Sequence, residues 1–226
     1  MKYENTVKGI FIERPNRFIA KVEIDGKIET VHVKNTGRCK ELLIKGSTVY
    51  LSKSNNPNRK TAYDLVCVEK GERLINIDSQ IPNDVVNEWI KGGLFSNNAI
   101  IKREKTYNNS RFDFYIEDRG RKIFLEVKGV TLEKNSVAFF PDAPTLRGVK
   151  HIKELEETVA KGYDAYILFV IQMEKIKFFS PNDQTHKAFG DALRQAVKNG
   201  VKILAYTCEV SCDSIKIKSP VPIKLD

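Results

Sequence analysis

The first 80 residues of this 226-residue chain are a succession of short β-type runs, and this rhythm limits the fold more than any other feature. Runs such as GIFIERP and RFIAKVEID are rich in β-branched and aromatic residues and alternate with Pro, Asn and Gly turns. Between the third and fourth runs, the segment TGRCKELLI (36–44) predicts a short helix. Five strands interrupted by one helix predict a small Greek-key barrel of the OB type.

The pattern changes at Ile81–Pro82, where we predict a boundary between a barrel domain (1–80) and an α/β domain (81–226). After the boundary, helical and strand patterns alternate. The predicted elements are a helix at 84–93, the strands AIIKREKTY, RFDFYIE and RKIFLEVKGV, a loop through 139–144, a helix at 145–161, a buried strand at 163–173, a helix at 184–199, and the closing strands VKILAYTCEV and SIKIKSPVPI. The second domain is therefore predicted to be a mixed sheet flanked by helices.

The stretch RFDFYIEDRGRKIFLEVK (111–128) predicts a hairpin that carries two carboxylates and a lysine. Glu126 and Lys128 are two residues apart on one strand, so their side chains point to the same face. Asp113 lies on the partner strand and comes alongside Glu126 if the strands pair antiparallel. Carboxylate oxygens are ligands that Mg²⁺ or Mn²⁺ prefers, and a lysine beside them can orient water against a phosphodiester. The competing interpretation is a surface hairpin with a salt bridge.

A third acidic ligand often completes such a centre. Glu104, one strand before the hairpin, is our candidate, and Glu88 on the preceding helix is the alternative. The main-chain carbonyl of Val127 is a further possible oxygen ligand. An acidic residue followed by Asp and Glu-x-Lys across a helix and a strand meander resembles the PD-(D/E)xK nuclease superfamily.

The net charge of +9 favours a polyanionic partner such as nucleic acid. Two basic, Asn-rich loops of the predicted barrel, at 13–17 and 53–60, lie where OB folds bind oligonucleotides. Further basic residues flank the hairpin and begin the helix at 145–161, whose amino end favours phosphate. The nucleic-acid-binding candidates are Arg14, Arg17, Phe18, Arg38, Lys53, Arg59, Lys60, Arg111, Arg147 and Lys150. The competing interpretation is that turn loops and solvated helix faces are polar by nature. His151, on the same helix, is a general-acid candidate, although a lone helical histidine is more often structural.

Several classes of protein are disfavoured by the sequence. A run of about 18 apolar residues is missing, which argues against a membrane span. The amino terminus MKYENTVKGI lacks an apolar signal region, and the four cysteines show no metal-ligand spacing. We therefore expect a cytoplasmic protein with reduced thiols.

Three blocks of sequence resemble the sugar fermentation stimulation protein (SfsA) family. They are SRFDFYIE, LEVKGVTL and VAFFPDAPTLRGVKHIKEL, and RPNRFIAKV and HVKNTGRCKELL are similar to further signatures of that family. The resemblance implies an OB-like barrel followed by a nuclease-like domain. It also implies DNA binding without strong sequence preference and a regulatory link to sugar (maltose) metabolism. Carrying the nuclease motif over places the metal ligands at Asp113 and Glu126 and the motif lysine at Lys128.

Two hypotheses of function follow. The first is a largely sequence-non-specific DNA-binding protein with a nuclease-like domain, and the second is an active Mg²⁺- or Mn²⁺-dependent DNA nuclease. RNA stays open as a ligand because the OB fold binds either polymer. The sequence does not give the oligomeric state, for which a homodimer is one alternative.

Overall fold

The computed structural model describes residues 1–35 and 37–226, and its amino-terminal part is a closed β-barrel. The strands are β1 (Thr6–Asn16), β2 (Ile19–Ile24), β3 (Lys27–Val33), β4 (Thr48–Lys53) and β5 (Tyr63–Lys70), with β6 (Arg73–Asn76) as an extension. Antiparallel neighbours follow the order β3-β2-β1-β4-β5, and a short parallel pairing between β3 and β5 closes the ring. The predicted OB-type barrel is confirmed.

Alternating apolar side chains fill the barrel, because successive residues of a strand point to opposite faces. Val22 of β2 and Val49 and Leu51 of β4 are fully buried. Gly9 of β1 lets the strands approach closely, since a Cβ at this position would lie 2.5 Å from Cγ1 of Val22. The alternation of apolar and polar residues along the sequence thus places the apolar side chains inside the barrel.

The helix predicted at 36–44 is wrong for the described residues 37–44, which form a turn. Thr36 lies outside the described residues. The carbonyl of Cys39 accepts from the N–H groups of Leu42 and Leu43, which makes only one turn. The Arg14 guanidinium instead takes the carbonyls of Gly37 and Arg38, both at 2.8 Å. Carbonyls bound to a side chain cannot start a helical ladder, so the helix does not form.

The carboxyl-terminal part is a six-stranded mixed sheet with helices on both faces. Its elements are α1 (Pro82–Trp89), a π-helical turn (Ile90–Leu94), β7 (Ile100–Tyr107), β8 (Ser110–Asp118), β9 (Arg121–Val130), β10 (Leu132–Lys134), β11 (Val137–Phe140), α2 (Leu146–Ala160), β12 (Asp164–Ile171), β13 (Phe178–Pro181), α3 (Asp183–Lys198), β14 (Lys202–Val210) and β15 (Ile215–Pro220). The strand order is β15-β14-β12-β9-β8-β7. The β7-β8-β9 meander is antiparallel, whereas β9, β12 and β14 run parallel. The predicted mixed sheet flanked by helices is confirmed.

The first part of the loop predicted at 139–144 belongs to a strand, because β11 covers residues 137–140. β11 pairs antiparallel with β10 and parallel with β13, which gives a separate three-stranded sheet. β13 was missed entirely by the sequence analysis. Both strands have four residues and β13 lies some forty residues further along the chain, so neither has the local periodicity that reveals a strand.

The helices largely follow their predicted ranges. Thr145 caps α2, because its side chain accepts from the N–H of Gly148 at 3.0 Å. Gly148 packs directly against Phe189 of α3, and a Cβ there would lie 3.1 Å from that ring. α2 and α3 therefore pack together on one face of the sheet, while α1 covers the opposite face with Val85 and Val86.

The barrel and the sheet share one apolar core. A single cluster of buried side chains runs from Phe11 and Val33 in the barrel to Phe169 and Phe179 beyond it. Buried polar groups tie the same junction, where Gln172 donates to the side chain and the carbonyl of Asn76 at 2.9 and 3.1 Å. Within the described residues, we find no helix that is long and apolar enough to cross a membrane.

Candidate metal centre

Asp113 lies where β8 and β9 separate. The ladder between them runs from Asp118↔Arg121 to Phe114↔Leu125 and ends there. One residue further on, the Asp113 side chain replaces the main chain as the partner of β9, and its Oδ2 accepts from the N–H of Val127 at 2.8 Å. Asp113 is thereby fixed directly beside the segment that carries Glu126 and Lys128.

Glu126 is almost completely buried, at 3% exposure, in the central strand β9. Its Oε1 accepts from Lys128 Nζ at 2.5 Å and also from His151 Nδ1. Its Oε2 has no hydrogen-bond partner among the described residues. Burying a charged oxygen without a partner is unfavourable, so an atom of this kind indicates a ligand that the protein is built to accept.

The two carboxyl groups differ in their electrostatics. Burial raises the pKa of Asp113, and the neighbouring charge of Glu126 raises this pKa further. Burial also works to raise the pKa of Glu126, but the hydrogen bond from His151 and the charge of Lys128 outweigh it and hold this pKa below its usual value. A cation between the two groups would relieve their repulsion.

A second set of side chains fixes the carboxylates in place. Asn83 of α1 donates from Nδ2 to Asp113 Oδ1 at 2.7 Å. Arg147 donates from Nε to His151 Nε2 at 3.3 Å, which assigns the remaining ring proton to Nδ1, facing Glu126. Asn83 was not predicted as part of this site, and His151 was predicted as a general acid and not as a partner of Glu126. The only sequence signal was the four-residue spacing of Arg147 and His151, which places them on one face of a helix.

The third acidic candidates do not join this pair. Glu104 is exposed, has a left-handed φ of 54° and contacts Arg111 at 3.4 Å. The Glu88 carboxylate binds the amino-terminal ammonium of Met1. Among residues 1–35 and 37–226, no three His, Cys, Asp or Glu side chains are grouped closely enough to hold a metal ion. The acidic side chains that the structure brings together here are therefore Asp113 and Glu126.

Two carboxylates fit a hard divalent cation. Mg²⁺ keeps several of its waters and is commonly bound through one or two carboxylates together with substrate phosphates. Oε2 of Glu126 is the buried oxygen that lacks a partner, and each Asp113 oxygen accepts a single hydrogen bond, which leaves it a lone pair. The donor set of this chain is accordingly suited to Mg²⁺ or Mn²⁺ rather than to a soft metal.

The basic candidates divide into occupied and exposed side chains. Arg14 donates to four main-chain carbonyls, and Arg59 makes a bidentate pair with Asp64 at 2.6 and 3.0 Å. These two arginines hold the barrel loops in shape. Arg14 uses all four of its terminal N–H groups, whereas Arg59 keeps two terminal N–H groups beside its pair with Asp64. The exposed barrel candidates are Arg17, Phe18, Arg38, Lys53 and Lys60.

Three candidates lie around the carboxylates. Arg111 is two residues from Asp113 and 60% exposed, and Arg147 contacts His151 as described above. Lys150 donates to the carbonyl of Asn109 in the β7–β8 turn at 2.8 Å. They give the rim of the carboxylate pair a positive charge.

Two family models match the chain. The "SfsA N-terminal OB domain" matches residues 12–77, and the "Sugar fermentation stimulation protein RE domain" matches residues 80–214. A sugar fermentation stimulation protein homolog of Desulfitobacterium hafniense is 61% identical over 225 residues, covering 100% of this chain and 99% of the relative. A homolog of Ruminiclostridium cellulolyticum is 59% identical, with 100% of both chains covered.

A solved structure extends the similarity to three dimensions. The structure of Pyrococcus furiosus SfsA in complex with Ca²⁺ matches with a TM-score of 0.87 and 29% identity, covering 99% of this chain and 98% of that one. The agreement of both domains with the family models and the length of the aligned relatives lead to one conclusion. The chain belongs to the sugar fermentation stimulation protein (SfsA) family.

Proposed function

We propose that this protein binds DNA, largely without sequence preference, and that its second domain holds a divalent cation between Asp113 and Glu126. The observation that carries the proposal is the buried Oε2 of Glu126 without a hydrogen-bond partner, next to a second carboxylate. The Ca²⁺ complex of the Pyrococcus furiosus relative supports a cation in proteins of this fold. The exposed basic residues and the net charge of +9 support a polyanionic partner.

DNA binding of this kind depends on phosphate contacts. Affinity should then fall steeply with salt, because each neutralised phosphate releases counterions. Fluorescence anisotropy with labelled DNA at about 50 and 200 mM salt measures this slope. Binding that is equal at both salt concentrations would contradict the proposal.

A second candidate function is hydrolysis of the DNA backbone. The observation in its favour is the complete set of Asp113, Glu126 and Lys128, with Lys128 Nζ only 2.5 Å from Glu126. A bound Mg²⁺ or Mn²⁺ supplies charge stabilisation at a phosphoryl oxygen and an acidified water. Asp113 and Glu126 would hold the ion, and the ammonium of Lys128 would orient the water or balance the charge on the phosphate. His151 keeps Oε1 of Glu126 occupied, so that Oε2 would be the oxygen available to hold the ion.

Incubation with Mn²⁺ separates the two candidates. Single-stranded, duplex and branched DNA should be cut by the wild type and left intact by Asp113→Asn. The matched control is Asp164→Asn, an acidic residue at the far end of the neighbouring strand that pairs with Arg121. Equal and intact substrates with wild type and Asp113→Asn would reject the nuclease while leaving DNA binding in place.

A regulatory role in maltose metabolism is a separate proposal, supported by the family relationship alone. Genome-wide occupancy measurements test it, and binding concentrated at sugar-operon promoters is the supporting result.

A further inference from the structure

An open cavity of about 660 Å³ lies on the barrel, away from the carboxylate pair. It is bordered by the end of β1, by the segment 37–45 that replaces the expected helix, and by Ala143 of the second domain. We call this cavity the barrel cleft. It includes the loop between the first and second strands, one of the two loops with which OB folds bind oligonucleotides, and extends from there over the segment 37–45 instead of the loop between the fourth and fifth strands.

The barrel cleft is strongly basic. Arg17, Arg38, Lys40 and Lys45 all line it, all are exposed, and none forms an ion pair within the described residues. Glu13 is the one acidic side chain among the lining residues. Unpaired cations concentrated in a concave surface attract a polyanion.

Arg14 binds main-chain carbonyls at the barrel cleft. Its guanidinium donates to the carbonyls of Arg17, Asn35, Gly37 and Arg38, at distances of 2.5 to 2.8 Å. Those carbonyl oxygens would otherwise repel phosphate oxygens. With them turned onto Arg14, the cleft offers mainly donors to a bound anion.

The β4–β5 loop is poorer in available charge. Arg59 is committed to Asp64, whose carboxylate it binds with two hydrogen bonds. Lys53 and Lys60 remain exposed there, against four free cations in the barrel cleft. The charge distribution thus favours the cleft over the loop as the place where phosphates bind.

An exposed aromatic ring beside the barrel cleft indicates a single strand. Phe18 follows the lining residue Arg17 and is 51% exposed, whereas the lining residues Phe11 and Leu43 are buried. Proteins that bind single strands combine a positive groove with aromatic rings on which unpaired bases stack. In a duplex the faces of the bases are already covered by their neighbours, so Phe18 has nothing to stack on.

We propose that the barrel cleft binds single-stranded DNA, with Lys40 and Lys45 on its phosphates and Phe18 stacked on an unpaired base. This rests on the DNA binding proposed above and names the form of DNA and the surface that takes it. Ala143 lines the cleft and lies four residues before Arg147, which contacts His151, so the cleft borders the segment that leads into α2.

A matched pair of double variants tests the proposal. Lys40→Ala/Lys45→Ala removes two lysines from the cleft, and Lys8→Ala/Lys27→Ala removes two exposed, unpaired lysines elsewhere on the barrel. Anisotropy with a labelled 15-nucleotide single strand, in EDTA to prevent cutting, gives the dissociation constant and its salt slope. The cleft variant should bind about tenfold more weakly, with a slope about 1.4 smaller for two lost phosphate contacts, while the control stays within about twofold of wild type.

Two further variants complete the measurement. Phe18→Ala should weaken single-strand binding about tenfold and leave the salt slope unchanged, because stacking involves no counterion release. Lys53→Ala/Lys60→Ala reports on the β4–β5 loop. Thermal unfolding of every variant confirms that the fold is kept.

Each alternative result overturns the proposal in a recognisable way. A loss confined to Lys53→Ala/Lys60→Ala, or equal losses in the cleft and control variants, places the phosphates elsewhere. Tighter binding to a 15-base-pair duplex, or to RNA of the same sequence, rejects single-stranded DNA as the ligand. In all of these cases DNA or RNA binding survives, whereas a wild type that binds no polynucleotide removes the proposed DNA binding as well.

Discussion

Two buried carboxylates of this protein are surrounded by cations, and they differ in one respect. Asp64 of the barrel has both oxygens occupied, by Arg59 and His32 on Oδ1 and by Arg59 and Lys34 on Oδ2. Glu126 has its donors on Oε1, and Oε2 is left without one among the described residues. A fully paired carboxylate holds its fold together, whereas a half-paired one keeps an oxygen for something else.

The largest expected effect comes from removing the half-paired charge. Glu126→Gln should lower the affinity for Mn²⁺ or Ca²⁺ more than about hundredfold, since a neutral amide replaces one of the two anionic ligands. Titration calorimetry measures the affinity directly, without any nucleic acid. Asp64→Asn serves as control and should bind the cation as the wild type does. An equal loss of affinity in both variants would contradict the assignment of the cation to Glu126.

Removing the group that occupies Oε1 should have the next largest effect. His151→Asn leaves Glu126 free to rotate, and we expect cation affinity to fall about 10- to 100-fold, as is typical for residues that orient a metal ligand. Lys128 still holds one bond to Oε1, so the loss should stay below that of Glu126→Gln. His186→Asn, on α3, is the matched histidine control, and an unchanged affinity in His151→Asn would show that Lys128 alone orients the carboxylate.

The fully paired carboxylate should act on stability instead. Asp64→Asn leaves Lys34, Arg59 and His32 without their anion, and since these partners are partly exposed we expect a loss of about 2 kcal/mol. For a chain of this size this lowers Tm by about 4 to 8 °C in differential scanning calorimetry. Asp164→Asn, at a more exposed ion pair with Arg121, should shift Tm less.

The Asp64 contribution should also depend on pH. The pKa of Asp64 is held well below its usual value: burial works to raise it, but the hydrogen bonds from Arg59 and Lys34 outweigh this. A lowered pKa gives stability that is present above about pH 4 and is lost as the pH falls through the pKa of the folded protein. The Tm difference between wild type and Asp64→Asn should therefore shrink below about pH 4, and a constant difference down to pH 2 would contradict the assignment.

The smallest effect is expected from a residue that contacts Asp113, the second carboxylate of the candidate metal centre. Asn83→Ala removes one hydrogen bond to Oδ1 and leaves the bond from Val127 in place. One such bond is worth about 1 kcal/mol, so cation affinity should fall about fivefold. A change as large as that of His151→Asn would mean that Asn83, and not the main chain of β9, sets the position of Asp113.

How far the sequence predicted this arrangement depends on how local each contact is. Asp113, Glu126 and Lys128 lie on one hairpin, and the two-residue period of a strand is enough to bring them together. Asn83 and His151 reach them from two helices that pack on opposite faces of the sheet, so their partners depend on tertiary structure. Local spacing could indicate that Arg147 and His151 share a helix face, but not which carboxylate they face.

The barrel error has the same physical origin. The segment 37–44 has a helical pattern of apolar residues, yet the carbonyls of Gly37 and Arg38 accept from Arg14 of β1. Arg14 reaches this segment only in the folded barrel, and a linear pattern carries no record of such a contact. Nucleic-acid binding by Arg59 stays a prediction, and in the folded loop this side chain also pairs with Asp64.

The shared core has a consequence for how this protein evolves and unfolds. The family models divide the chain into two modules, at residues 12–77 and 80–214, but one continuous cluster of buried side chains spans them. Separating the modules would expose the apolar faces that each buries on the other, at about 25 cal/mol for every Å². We therefore expect the two modules to melt together as one cooperative unit, and a substitution at the junction, such as Gln172→Ala, to destabilise both.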